Sequence, residues 1–257
     1  MLSWVVKSAV AWVFSFAGAA GFGSLPACAG DWSASVELEN PVYKYEAWAG
    51  ADATSHSRSF YGGMTTSLSG DIRDNGFRVR SAAGYGTYAY TSPRWNGVAR
   101  APVSFEGVQT FTDLLLGYQR ALGPWIVKVF VGGSQDQHAI TPFDSENDVQ
   151  GKRMGVKAAV ETWLNIGDTA FVQTETSWSQ VFDTTGARVR AGYRVNPVLS
   201  LGLEGAFNAN AAYEAGRAGG FARFEWSRGE ISASGGIAGD RAGPTGGYGT
   251  VGAMFRF

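Results

Sequence analysis

The side chains best suited to acid–base chemistry in this chain are its two histidines, His56 and His138. Both fall near the ends of extended segments, where an enzyme acting on lipid at a membrane surface would hold its catalytic groups. A histidine base needs a hydroxyl nucleophile within hydrogen-bond reach and a carboxylate that orients its ring. Ser134, Asp136 and His138 alternate along one stretch and share one face of a strand. Successive same-face residues stand about 6.6 Å apart, too far for a relay within one strand. Partners such as Ser57 or Asp52 on another strand would be required, and the sequence does not pair them. A hydrogen bond that anchors a loop is the plainer role for each histidine.

Other chemistry has less to work with. No G-x-x-x-x-G-K-[ST] loop, no H-E-x-x-H pair and no Cys/His cluster occurs, so nucleotide and zinc chemistry lack their ligands. Gly84-Tyr85-Gly86 and Gly246-Gly247-Tyr248-Gly249 lie in extended segments or at a loop end rather than before a helix, and read as β-geometry. The stretch Phe143-Asp144-Ser145-Glu146-Asn147-Asp148 offers oxygen ligands for Ca²⁺, although a solvated loop is the simpler reading. No catalytic, cofactor-binding or metal-binding residue is assigned, and no cofactor is expected.

What positions these residues is a secreted, glycine- and aromatic-rich chain. With 36 Gly, 14% aromatic and only 17% charged residues, the composition is not that of a disordered protein. Twenty-one Lys and Arg against 22 Asp and Glu give a formal charge of −1, which offers nucleic acid no basic surface. Residues 1–29 hold one charge, Lys7, then an apolar stretch from Ala9 to Phe22 and the small-residue end Ala27-Cys28-Ala29. This reads as a signal peptide cut after Ala29. Small residues dilute the run below what a spanning helix needs, and Pro26 fits a lipidation box before Cys28 poorly. Cleavage would remove the only cysteine and with it any disulfide. Residues 30–42 read as a periplasmic segment before the folded domain at 43–257.

Downstream, no run of 18 apolar residues occurs, and apolar residues alternate instead. Val189, Ala191 and Tyr193 oppose Arg188, Arg190 and Gly192. Leu199, Leu201, Leu203 and Phe207 oppose Ser200, Glu204 and Asn208. Met154, Val156, Ala158, Val160 and Leu164 oppose Arg153, Lys157 and Glu161, and Val172, Thr174 and Trp178 oppose Gln173 and Glu175. Repeated strands of about ten residues with one apolar and one polar face suit tilted bilayer crossings. The pattern predicts twelve strands, at 43–54, 59–69, 77–90, 108–119, 125–138, 150–164, 169–181, 187–194, 199–208, 217–226, 230–239 and 248–257. Tight turns are expected at 71–76, 121–124, 165–168, 195–198 and 227–229. Longer loops are expected at 91–105, 139–149, 209–216 and 240–247, with shorter ones at 55–57 and 183–186.

The expected fold is therefore all-β, a single antiparallel up-and-down transmembrane β-barrel of about twelve strands and outer-membrane type, its termini on the periplasmic side. A soluble sandwich could show the same alternation, but a barrel must enclose its polar faces, so charges there should pair or line wetted space. The enclosed face collects Lys44, Arg78, Arg80, Lys128, Arg153, Lys157, Arg188, Arg190, Arg217, Arg223 and Arg256, against Glu46, Asp52, Asp113, Asp136, Glu161, Glu175, Glu204 and Glu225. Arg78, Arg80, Lys128, Arg153, Lys157, Glu161, Glu175, Arg188, Arg190, Glu204, Arg223 and Glu225 are the leading lumen-lining charges. The slight cationic excess leaves open either a structural role or a pore for anionic or sugar solutes. Twelve strands lie between the filled eight-strand barrel and the sixteen-strand channel, so a constricted lumen is expected. Tyr43, Tyr45, Tyr88, Tyr90, Tyr118, Trp125, Trp163, Trp178, Tyr193 and Trp226 are candidates for interfacial girdles. The end Val251-Gly-Ala-Met-Phe-Arg-Phe257 alternates toward a terminal aromatic residue, similar to the assembly signal of bacterial outer-membrane barrels.

Several pieces, in order, resemble a known family: Asp52-Ala-Thr-Ser-His56-Ser-Arg58, Gly70-Asp71 with Asp74-Asn-Gly76-Phe77, Gly84-Tyr-Gly86 with Tyr88, and Leu116-Gly-Tyr-Gln119. Gln137-His138 followed by Pro142, Asp144, Asn147 and Gly151, then Gly192-Tyr193 and Tyr248-Gly-Thr-Val-Gly252, continue the pattern. Together they resemble the cellulose biosynthesis protein BcsS family of alphaproteobacteria. The resemblance implies a non-enzymatic accessory protein of bacterial cellulose production or export, in the outer membrane, and supplies no catalytic residues. Its implied partners are outer-membrane lipid and cellulose or cellulose-synthase accessory proteins. A small-solute porin and an outer-membrane lipid-modifying enzyme are the alternatives.

Overall fold

The computed structural model describes residues 42–240 and 243–257. The signal peptide read at 1–29, with Cys28, and nearly all of the segment read at 30–42 lie outside the described residues. The wall consists of β1 Tyr45–Thr54, β2 Ser57–Ser67, β3 Gly76–Trp95, β4 Arg100–Leu122, β5 Trp125–Thr141 and β6 Gly151–Ile166. It continues through β7 Ala170–Ser179, β8 Thr184–Arg194, β9 Leu199–Asn210, β10 Tyr213–Trp226, β11 Gly229–Asp240 and β12 Gly243–Arg256. Each strand pairs with its chain neighbour, and β1 pairs antiparallel with β12 to close the barrel. Closure leaves no exposed sheet edge in the wall, the condition for a sheet to cross lipid.

Alternation decides which way each side chain points. Leu114, Leu116, Val129, Val131, Val189, Leu201, Leu203 and Val251 are exposed on the outside, an apolar belt of the kind that faces lipid. Along its lower rim stand Tyr45, Phe77, Tyr118, Trp125, Tyr193, Phe224, Trp226 and Phe257. Tyr45 stacks on Phe257 at 5.4 Å and Phe77 meets Tyr118 edge-on at 5.0 Å. The girdle assignment needs correction at Tyr43, Tyr88, Tyr90 and Trp163, which are buried inside. Tyr88 and Tyr90 share the parity of Arg78 and Arg80, and Trp163 that of Lys157 and Glu161, so the strand period had already turned them inward.

The interior rings need room. Phe111 lies directly opposite Gly84 and Phe171 opposite Gly192. A Cβ on Gly84 would stand 2.0 Å from the Phe111 ring, and one on Gly192 2.2 Å from that of Phe171. Each ring lies flat across the strand that faces it, in space only glycine leaves. The pairing recurs at Gly50–Tyr61, Gly107–Tyr88 and Gly117–Phe130.

Three predicted loops are largely strand. β3 and β4 continue through the expected loop at 91–105 and reverse only at Asn96–Ala99, where Asn96 Oδ1 accepts from the Val98 and Ala99 N–H groups at 3.0 and 2.9 Å. β9 and β10 run to Asn210 and from Tyr213, and β12 starts at Gly243, within the loops expected at 209–216 and 240–247. The turn expected at 71–76 does more than reverse the chain: it folds into the lower mouth, with Ile72 3% exposed.

Candidate functional site

The inner face carries the polar groups, and the geometry that matters is how they span the barrel. Arg80 Nη1 of β3 reaches Glu161 Oε1 of β6 at 2.6 Å. Arg217 Nη1 of β10 reaches Asp52 Oδ1 of β1 at 2.7 Å, and Lys157 Nζ of β6 reaches Asp113 Oδ2 of β4 at 2.6 Å. None of these strands are neighbours, so the bonds cross the space the wall encloses. Neighbouring strands add Arg188–Glu175 at 2.7 Å and Arg190–Glu204 at 2.8 Å. Glu204 also accepts from Tyr248 Oη at 2.9 Å and Ser234 Oγ at 3.0 Å. Arg223 lies 3.1 Å from Glu225 and 3.9 Å from Glu230, and Arg256 3.3 Å from Glu46.

Guanidinium groups and rings alternate through this filling. Arg80 stands over Phe130 at 3.6 Å, Arg190 over Phe221 at 5.0 Å, and Arg223 over both Trp163 and Phe171 at 4.5 Å. Rings fill volume while their faces receive positive charge. Together they make the interior a packed, ionic and aromatic core.

Of the charges read as lumen-lining, Arg78, Arg80, Lys128, Lys157, Glu161, Glu175, Arg188, Arg190, Glu204 and Arg223 are buried inside and Glu225 is half-buried. Arg153 keeps inward parity but sits exposed at the upper rim, its guanidinium 4.7 Å over the Phe182 ring. Lys44 is corrected outright: it precedes β1 and is exposed. Sequence reasoning left Glu230, the first residue of the strand expected at 230–239, out of the enclosed charges, although its alternation with Ile231 placed it inward. Among the described residues, the buried wall cations are Arg78, Arg80, Lys128, Lys157, Arg188, Arg190, Arg217 and Arg223. They face the buried wall anions Glu46, Asp52, Asp113, Asp136, Glu161, Glu175, Glu204 and Glu230. Eight meet eight, so the expected cationic excess gives way to balance.

Both mouths are closed by chain folded inward. At the lower one, Arg78 donates to the Asp71, Ile72 and Asp74 carbonyls and to Ser67 Oγ, and Gln119 Nε2 donates to the Arg73 and Asp74 carbonyls. Asp71 accepts from the Tyr43 N–H at 2.8 Å and from Arg73. Burial pushes the Asp71 carboxyl up, but the Arg73 and Tyr43 hydrogen bonds outweigh it and hold the group below its ordinary range.

At the upper mouth the 142–150 loop is organised around Asp144, whose two oxygens receive Arg94 Nε at 2.7 Å and Nη2 at 2.5 Å. Tyr90 Oη also donates to Asp144 at 2.7 Å and accepts from Asn147 Nδ2 at 3.0 Å. Burial again pushes the Asp144 carboxyl up, and the Arg94 and Tyr90 bonds again prevail to lower it. Arg94 holds both Asp144 oxygens and so fastens the loop at that residue, while Phe143, Ser145, Glu146 and Asp148 stay exposed to solvent. Beneath it Val149, Val181 and Phe182 pack together with 1–3% exposure.

Ser134, Asp136 and His138 do not assemble into a relay. His138 Nδ1 lies 3.2 Å from Tyr88 Oη, and its ring meets Phe182 edge-on at 5.1 Å. Ser134 Oγ donates to Asp113 at 2.6 Å instead of to an imidazole. Asp52 is bound to Arg217 and Thr250, and Ser57 Oγ to Thr54 Oγ1. His138 thus ties β5 to β3 below the upper closure, a strand-to-strand version of the anchoring role expected for it.

The model of a family described as cellulose biosynthesis protein BcsS matches residues 47–257. Among solved structures, the COG4313 outer membrane channel from Pseudomonas putida F1 is similar at 12% identity, over 87% of this chain and 100% of that one, with a TM-score of 0.49. The transport unit of the autotransporter AIDA-I from Escherichia coli is similar at 11% identity, over 87% and 93%, TM-score 0.49. The KdgM porin in complex with disordered oligogalacturonate is similar at 10% identity, over 82% and 99%, TM-score 0.48. No curated protein is a significant match to the chain.

Proposed function

Since the chain belongs to the cellulose biosynthesis protein BcsS family, we propose that it is a non-enzymatic accessory barrel of the bacterial outer membrane that assists cellulose export or anchors the synthase machinery there. The observation that carries this reading is the cross-barrel bonding. Arg80–Glu161 and Arg217–Asp52 each tie strands three places apart around the wall across part of the space it encloses. A polymer chain threading the barrel would have to break buried ion pairs, each costing about 3–5 kcal/mol when one partner is left alone. The polymer therefore passes elsewhere, and the barrel serves through its surface. Outer-membrane lipid surrounds its apolar belt, and cellulose or cellulose-synthase accessory proteins meet its ends.

Deletion of the gene tests the reading: extracellular dye-binding glucan should disappear, and the protein should fractionate with the outer membrane. Unchanged glucan would overturn it. A porin role would appear as solute uptake without a cellulose defect, and a lipid-modifying role as altered outer-membrane lipids by mass spectrometry. The commitments of Ser134 to Asp113 and of His138 to Tyr88 favour neither.

A further inference from the structure

The longest strands of the wall, β3 and β4, outrun their neighbours. β3 last pairs with β2 at Ser57↔Tyr88, and β4 with β5 at Glu106↔Thr141, yet β3 and β4 pair on from Tyr90↔Phe105 to Trp95↔Arg100. The result is a two-stranded ribbon that stands clear of the belt. A free ribbon of this kind is usually mobile, but this one is clamped on its inner face through Tyr90, Arg94 and Asp144.

Its outer face presents three cross-strand pairs in a row, Thr91↔Ser104, Pro93↔Pro102 and Trp95↔Arg100. From Thr91 to Trp95 the row runs about 13 Å. Trp95 is 63% exposed and, at the tip, stands far above the lower girdle. The one formal charge among these six residues, Arg100, has its Nη2 3.8 Å from Glu146 Oε2.

The edges of the ribbon are as informative as its face. Two prolines set opposite each other have no N–H to exchange, so they occupy a non-hydrogen-bonded pair, whose backbone groups point away from the partner strand. Each proline therefore removes a donor from a free edge, where an added protein strand would need one. The ribbon refuses further strands and offers its face instead.

We propose that this face docks an uncharged β-linked glucan chain, an assignment that rests on the cellulose role given above. The Trp95 indole stacks on the C–H face of a sugar ring, as aromatic faces do on apolar edges. Arg100, Thr91 and Ser104 supply hydrogen bonds to the ring hydroxyls. A strip whose one charge stands beside a carboxylate suits an uncharged polymer and gives anionic lipid headgroups or acidic chains little attraction.

The test uses the full chain in detergent micelles, sedimented with amorphous cellulose and titrated with cellohexaose while tryptophan fluorescence is followed. The wild type and Trp178→Ala, a change on the lipid-facing wall, should bind alike. Trp95→Ala should weaken binding by at least ~10-fold, the loss of one stacked ring, with its thermal transition unchanged. A wild type that stays in solution, or a Trp95→Ala variant that binds as well as the wild type, overturns the proposal. If deletion removes cellulose but Trp95→Ala binds normally, the ribbon assignment fails and the accessory role stands. If Trp95-dependent binding is found but deletion leaves cellulose intact, the accessory role fails and the ribbon assignment stands.

Discussion

Arg188 inside the wall and Arg100 at the ribbon tip carry the same guanidinium into opposite surroundings. The Arg188 side chain is 1% exposed and 2.7 Å from Glu175, whereas that of Arg100 is 48% exposed and 3.8 Å from Glu146. A buried charge without its partner is costly, so the interior must be matched almost charge for charge. A surface pair held in water contributes at most about 1 kcal/mol. Substitutions in the shaft should therefore be read as lost stability, and substitutions on the ribbon as lost recognition.

The sharpest break of this contrast is Arg188→Ala. It strands Glu175 in the filling and should lower stability by about 3–5 kcal/mol, seen as a fall in the temperature at which the folded band on a gel converts to the unfolded one. Next comes Gly192→Val, which drives a side chain into the Phe171 ring at a contact of 2.2 Å. Overpacking of this kind should cost about 1–3 kcal/mol by the same assay.

Asp144→Asn tests the upper closure, with an expected loss of about 1–3 kcal/mol for a broken charged hydrogen-bond set. Amide exchange in residues 142–150 should rise. The folded pKa of Asp144 is depressed, so its contribution is in full force above the ordinary aspartate value of about 3.9. It fades as pH falls through the lower folded value. Protection from exchange, taken relative to the intrinsic rate at each pH, should fall in the wild-type loop on that descent, while the Asn variant should show the lower protection already at neutral pH and little further change. Smallest of all, Trp95→Ala should leave stability within about 0.5 kcal/mol of the wild type, as for a surface site, and change only glucan binding.

The same division explains what could be read in the residues alone. Inside the membrane belt one face is apolar and the other ionic, so a two-residue period fixes both register and orientation. Arg188, Arg190 and Glu204 were legible for that reason, as was the number of strands. Above the belt the constraint lapses. Pro93, Asn96, Gly97 and Pro102 look like loop breakers, and only the structure reveals that the prolines face each other at a pair needing no N–H. Residue type also misled where period did not, since Trp163 and Tyr90 suggested a girdle by chemistry but faced inward by parity. The bonds that cross the barrel could not be read at all. Which of eight anions meets Arg80 or Arg217 depends on strand stagger, and no local pattern encodes that.

The most direct check on a barrel filled from wall to wall is conductance of the purified chain in planar bilayers. A barrel bridged by Arg80–Glu161 and Arg217–Asp52 should give no large, stable openings and should leave added oligosaccharide without effect on the current. Frequent, long-lived and unselective openings of porin size would contradict the closed interior.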